Sequence, residues 1–80
     1  MSEKWLDSKS GTPLQMEIAR KVLEAVRGGS DVFTAIRRFP LPGGGYTAKS
    51  MLVSAYHQAV AAGEMAADPG LLVRIRMKPV

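Results

Sequence analysis

Residues 37–49 read RRFPLPGGGYTAK, and no regular element can run through them. Pro40 and Pro42 fix φ and remove two backbone donors, and the proline after Phe39 pushes that residue out of the helical region. Gly43, Gly44 and Gly45 are each costly inside a helix or a strand. The chain therefore has to fold as segments on either side of a long connection, with Arg37 and Arg38 at one edge and Lys49 at the other. Glycines also let backbone N–H groups come close to a bulky anion. A helix opening after Thr47, a candidate N-cap, would point its unpaired N–H groups and positive dipole end back at the loop, with Lys49 in its first turn. Gly43, Gly44, Gly45 and Thr47 are thus a candidate phosphate-cradling loop. The same geometry also serves as an ordinary helix connection with a solvated lysine.

On both sides of the loop the apolar residues repeat at helical spacing. Thr12-Pro13-Leu14-Gln15 combines an N-cap threonine, proline at the first helical position and glutamine at the third, a capping box that predicts a helix from Pro13. Leu14, Ile18, Val22, Ala25 and Val26 form its stripe, widened by Met16, Ala19 and Leu23, and Glu17 with Lys21 makes an i,i+4 pair. Gly28 and Gly29 stop it near Arg27. Ser30 is expected to cap a second helix that carries Asp31 in its first turn, lines one side with Val32, Ala35, Ile36 and Phe39, and ends before Pro40. A third begins at Thr47, with Met51, Leu52, Ala55, Tyr56, Ala59 and Val60 on one face and Gly63 as terminator. Residues 71–77 fit either a helix, from Leu71, Leu72 and Ile75, or a strand, from the alternation of Val73, Ile75 and Met77 with Arg74, Arg76 and Lys78. Asp68-Pro69 is a helix start, and no other segment offers a strand partner, so a helix ending before Pro79 is preferred. The expected fold is all-α, one domain over residues 1–80 with three to four helices and a basic Gly/Pro-rich loop. Residues 1–11 form a partly ordered N-terminal segment in which Trp5 and Leu6 anchor a short turn opened by Ser2.

Charge is distributed unevenly. Residues 1–31 hold five cations and five acids and sum to zero. From Val32 to Gly63 the charged residues are Arg37, Arg38 and Lys49, and from Pro69 to Val80 they are Arg74, Arg76 and Lys78, with no acid in either stretch. The net charge of +4 and a sequence pI near 9.9 thus arise from two acid-free segments, as expected of a surface that meets a polyanion such as nucleic acid. A basic face that is merely solvated fits the same pattern. The N-terminus lacks the apolar core of a secretory signal, no apolar run reaches the roughly 20 residues of a membrane span, and cysteine is absent. These features fit a cytoplasmic protein with no membrane partner. Eighty residues are few for an enzyme that must close a pocket, so a binding module is expected, with no catalytic residue and no metal site.

Sharper motifs weaken on inspection. Residues 43–50, GGGYTAKS, approach the nucleotide-binding pattern G-x-x-x-x-G-K-[ST], but Ala48 replaces its second glycine and no buried strand precedes it. Helices two and three as a helix-turn-helix would need a turn of about three to four residues, roughly half the span from Pro40 to Tyr46. His57, the one histidine, has no ligand-forming neighbour at metal spacing and reads as a surface or hydrogen-bonded residue. Phe39 and Tyr46 border the basic loop and are candidates for stacking on unpaired bases, although aromatics beside helix ends more often belong to a core.

The tail Leu72-Val73-Arg74-Ile75-Arg76-Met77-Lys78-Pro79-Val80, together with Thr47-Ala48-Lys49-Ser50-Met51-Leu52-Val53 and Tyr56, resembles the N-terminal region of the Elongator catalytic subunit in its bacterial and archaeal single-chain form. The likeness covers about residues 32–80. It implies a helical tRNA-binding region attached to a radical S-adenosylmethionine domain and an acetyltransferase domain that act on the wobble uridine. The iron–sulfur cluster, S-adenosylmethionine and acetyl-coenzyme A of that family would belong to those catalytic domains; these residues hold no cysteine to ligate a cluster and would carry no cofactor themselves. On this reading the partners are tRNA and the catalytic domains of the same polypeptide, and Arg37, Arg38, Lys49, Arg74, Arg76 and Lys78 contact the tRNA backbone. The competing expectation is a protein-interaction module that docks through the apolar C-terminal helix.

Overall fold

The computed structural model describes residues 13–77, and the expectations for Ser2, Trp5, Leu6, Thr12, Lys78 and Pro79 lie outside them. Four helices follow in order: α1 (Pro13–Arg27), α2 (Val32–Arg38), α3 (Lys49–Ala61) and α4 (Pro69–Arg76). The described residues contain no strand, so the protein is all-α and the alternation at 73–77 does not make a ladder. Helix wins there because Asp68 accepts from the Leu71 N–H at 3.1 Å with Pro69 at the first position, and because helical spacing buries Leu71 and Ile75 together.

α1 is the hub, packing against each of the other three helices, while α3 also packs on α4. Its buried face is Met16, Ala19, Val22, Leu23 and Val26, a narrower stripe than the periodicity suggests, centred away from Leu14, which is half exposed. Ala19, Ala35 and Ala55 are fully buried, so α1, α2 and α3 each bring a small residue to the core. Val32, Leu52, Tyr56, Leu71 and Ile75 complete it, with Phe33, Ile36, Phe39 and Leu72 partly buried around the edge. Arg20 of α1 pairs with Glu64 just beyond α3, and Lys49 at the start of α3 donates to the Met77 carbonyl at the end of α4. With Tyr56, further along α3, accepting from the Asp68 N–H before α4, α3 runs antiparallel to α4.

The helix ends explain where sequence reading missed by a residue. α1 closes with Ser30 N–H donating to Ala25 O and Gly29 N–H to Val26 O, each at 3.0 Å, with Gly29 at φ +115°. Ser30 thus belongs to the end of α1, and with α2 starting at Val32 it stands one position too early to cap it. That role falls to Asp31, whose Oδ2 accepts from Phe33 N–H at 3.0 Å and Thr34 N–H at 3.2 Å. Thr47 is likewise not the cap of α3. Ala48 occupies that position without a side-chain bond, its carbonyl accepting from Met51 and Leu52, while Thr47 turns inward and is 3% exposed. The Glu17–Lys21 pair is not among the ion pairs of the described residues; Arg20–Glu64 and Arg27–Glu24 are.

Leu52 has no exposed surface and Val73 is 63% exposed, so two single truncations separate core from surface. Leu52→Ala should cost about 3 kcal/mol and Val73→Ala under about 0.5 kcal/mol in urea unfolding. Equal losses would show that α3 does not supply the core.

Candidate nucleic-acid interface

The two acid-free segments meet at Lys49. Its ammonium donates to the Met77 carbonyl, 28 positions away, and lies 4.4 Å from the centroid of the Phe33 ring. The ring contributes a face of negative potential and the carbonyl sits at the end of α4, where the helix dipole is negative, so both partners favour a cation here. This contact ties α2, the start of α3 and the end of α4 to one end of the bundle. Phe33 is the member of this group that charge counting overlooks; its signal in the sequence is only the i,i+4 spacing that places Arg37 one turn further along the same face of α2.

Arg37 and Arg38 form the exposed last turn of α2, and Arg76 is exposed in the last turn of α4. None of Arg37, Arg38, Lys49, Arg74 or Arg76 takes part in an ion pair of the described residues. The ion pairs of the described residues are instead on α1, Arg20–Glu64 and Arg27–Glu24, the latter at 2.8 Å. Arg74 differs from its neighbours. Its guanidinium, half-buried, donates to Val26 O in the last turn of α1 and to Ser30 O at 3.4 Å, so it closes the carbonyl end of α1 from α4. Lys78 lies outside the described residues.

The loop between α2 and α3 folds back on itself. Gly44 N–H donates to Leu41 O at 3.1 Å, around a turn with Pro42 and then Gly43 at φ +86°, the type II pattern. Leu41 N–H donates to Gly45 O at 3.0 Å and closes the neck. Gly44 and Gly45 follow at φ +110° and +81°, values that side chains resist even though open space surrounds all three positions. The Gly44 donor expected to face an anion is thus engaged within the loop. The neck separates the two aromatics: Phe39 packs against the core, partly buried, whereas Tyr46 is 54% exposed. Thr47 Oγ1 is buried without a hydrogen-bond partner in the structure. Elsewhere His57 is exposed and meets the Tyr56 ring edge-on at 5.2 Å.

Among the described residues no group of histidine, cysteine, aspartate and glutamate could hold a metal ion, and no helix is long and apolar enough to cross a membrane. No protein-family model, no curated protein and no solved structure matches the chain.

The division of labour among the cations is open to measurement. Arg74→Ala leaves two backbone carbonyls without their charged donor and should cost about 1–3 kcal/mol in urea unfolding, whereas Arg76→Ala should stay within about 0.5 kcal/mol. Equal effects would mean that Arg74 does not hold α1.

Proposed function

We propose that the chain is a non-catalytic tRNA-binding module that grips the tRNA backbone by charge and shape, serving wobble-uridine modification chemistry located in catalytic domains of the same polypeptide. The observation that carries the RNA-binding part is the Lys49 junction, which joins the two acid-free stretches, while Glu24 and Glu64 pair with α1 and Asp31 and Asp68 are engaged as helix caps. The tRNA and catalytic parts rest on the resemblance to the Elongator catalytic subunit. Arg37, Arg38 and Arg76 are exposed and without an acidic partner among the described residues, so phosphates can reach them directly. Lys49 adds charge from a fixed position, and Arg74 acts through the fold. Such contacts position an RNA without reading its sequence, which suits a module that accepts several tRNAs. The alternative of docking through the C-terminal helix cannot use Leu71 and Ile75, which are consumed by the protein's own core, and would have to rest on Val73 and Met77, exposed four positions apart.

Fluorescence anisotropy with labelled tRNA across a salt series tests the reading. Three to four phosphate contacts give a log–log slope of affinity against salt of about −2 to −4, from roughly −0.7 to −0.9 per contact. Arg37→Ala/Arg38→Ala should weaken binding to different tRNAs alike and flatten the slope by about one to two units. Salt-independent binding, or no loss in the double variant, would favour the protein-interaction module.

A further inference from the structure

The structure separates the two aromatics that flank the basic loop, and only one of them is available to a ligand. Phe39 rests against the core; Tyr46, just past the closed neck, is 54% exposed. A large aromatic exposed on a mobile tail would carry little meaning. Tyr46 instead sits on backbone that is restrained on both sides. Before it, the Leu41–Gly45 bond and the Pro42-Gly43 turn close the loop. After it, Thr47 is buried and Ala48 starts the hydrogen bonding of α3. The ring is thus presented at low ordering cost, the condition under which a side chain contributes most to binding. The closed neck also sets the backbone that follows Arg37 and Arg38 beside the backbone that precedes Tyr46, so the cations and the ring belong to one closed loop. Cations that follow a backbone next to an aromatic on which a base can stack are the working parts of single-strand recognition. A regular A-form duplex keeps its bases paired inside and offers such a ring no face.

We propose that Tyr46 is a stacking platform for one unpaired base, so that the domain selects RNA with a looped or single-stranded segment over uninterrupted duplex. This rests on the RNA-binding reading above and adds to it the class of RNA and the residue that selects it.

Anisotropy of three labelled RNAs separates the two claims: a single-stranded oligonucleotide, a hairpin with an open loop, and a blunt duplex built from the same stem. The full chain is compared with Tyr46→Ala and Tyr46→Phe, with circular dichroism confirming that each variant is folded. The wild type should bind the hairpin and the single strand more tightly than the duplex. Tyr46→Ala should lose roughly tenfold on those two, the scale of one stacked base, with duplex binding unchanged. Tyr46→Phe should keep wild-type affinity, because the ring face rather than the hydroxyl makes the contact. The salt slope should be the same for all three proteins, since no charge is altered. Salt-dependent binding with no preference for unpaired RNA, or an equal loss of Tyr46→Ala on every RNA, would overturn the stacking proposal and leave backbone binding standing. If the wild type binds none of the three, both readings fail.

Discussion

Burial of the α1 stripe is the constraint on which the rest of the bundle depends. Met16, Ala19, Val22, Leu23 and Val26 are the surface against which α2, α3 and α4 are each laid. α2 and α4 are seven and eight residues long, well short of the length at which an isolated helix persists in water. They exist because packing on α1 and α3 supplies what propensity cannot. Polar contacts then lock the ends: Arg74 reaches back to Val26 and Ser30, and Lys49 holds the carbonyl of Met77, which caps α4. Both place a cation at the negative end of a helix, so the electrostatics of the helix ends and the docking of α4 are one interaction.

The same arrangement divides a uniform-looking set of basic residues into kinds. A count of charges treats Arg74 and Arg76 as equivalents two positions apart. On a helix they point about 200° from one another. Arg74 turns to the α1–α2 junction and Arg76 to solvent. Surface charge and fold stability are therefore carried by neighbouring residues of the same chemistry.

Much of this was legible in the sequence. Helical periodicity with Pro13, the Gly28-Gly29 stop, Pro40, Gly63 and Asp68-Pro69 located four helices to within a residue or two, because each boundary depends on local backbone chemistry. What local chemistry could not decide was competition between adjacent residues for one role. Ser30 and Asp31 are both good caps, and the choice depends on α2 starting at Val32, which places Asp31 Oδ2 against the Phe33 and Thr34 N–H groups. Thr47 is a better cap than Ala48 by propensity, yet tertiary packing draws its side chain inward. Leu14 fits the helical stripe but lies half exposed, because periodicity does not say which arc of a helix meets its neighbours. For the candidate interface, the cations were visible as an absence of acids. The contacts that sort them, Lys49 with Phe33 and Met77 and Arg74 with Val26, span tens of residues and leave no local pattern.

One contact outside the basic end bears on how the bundle opens. The Tyr56 hydroxyl, on a ring that is 4% exposed, accepts the Asp68 backbone N–H at 2.6 Å, and Asp68 in turn caps α4 through Leu71. Asp68 is itself an exposed residue, so its amide would ordinarily trade its proton with water within moments. Here the proton is held by a side chain rooted in α3, and release requires the start of α4 to part from that ring. In native-state hydrogen exchange the Asp68 amide should accordingly be protected along with the interior of α3, making the start of α4 and the middle of α3 one cooperative unit.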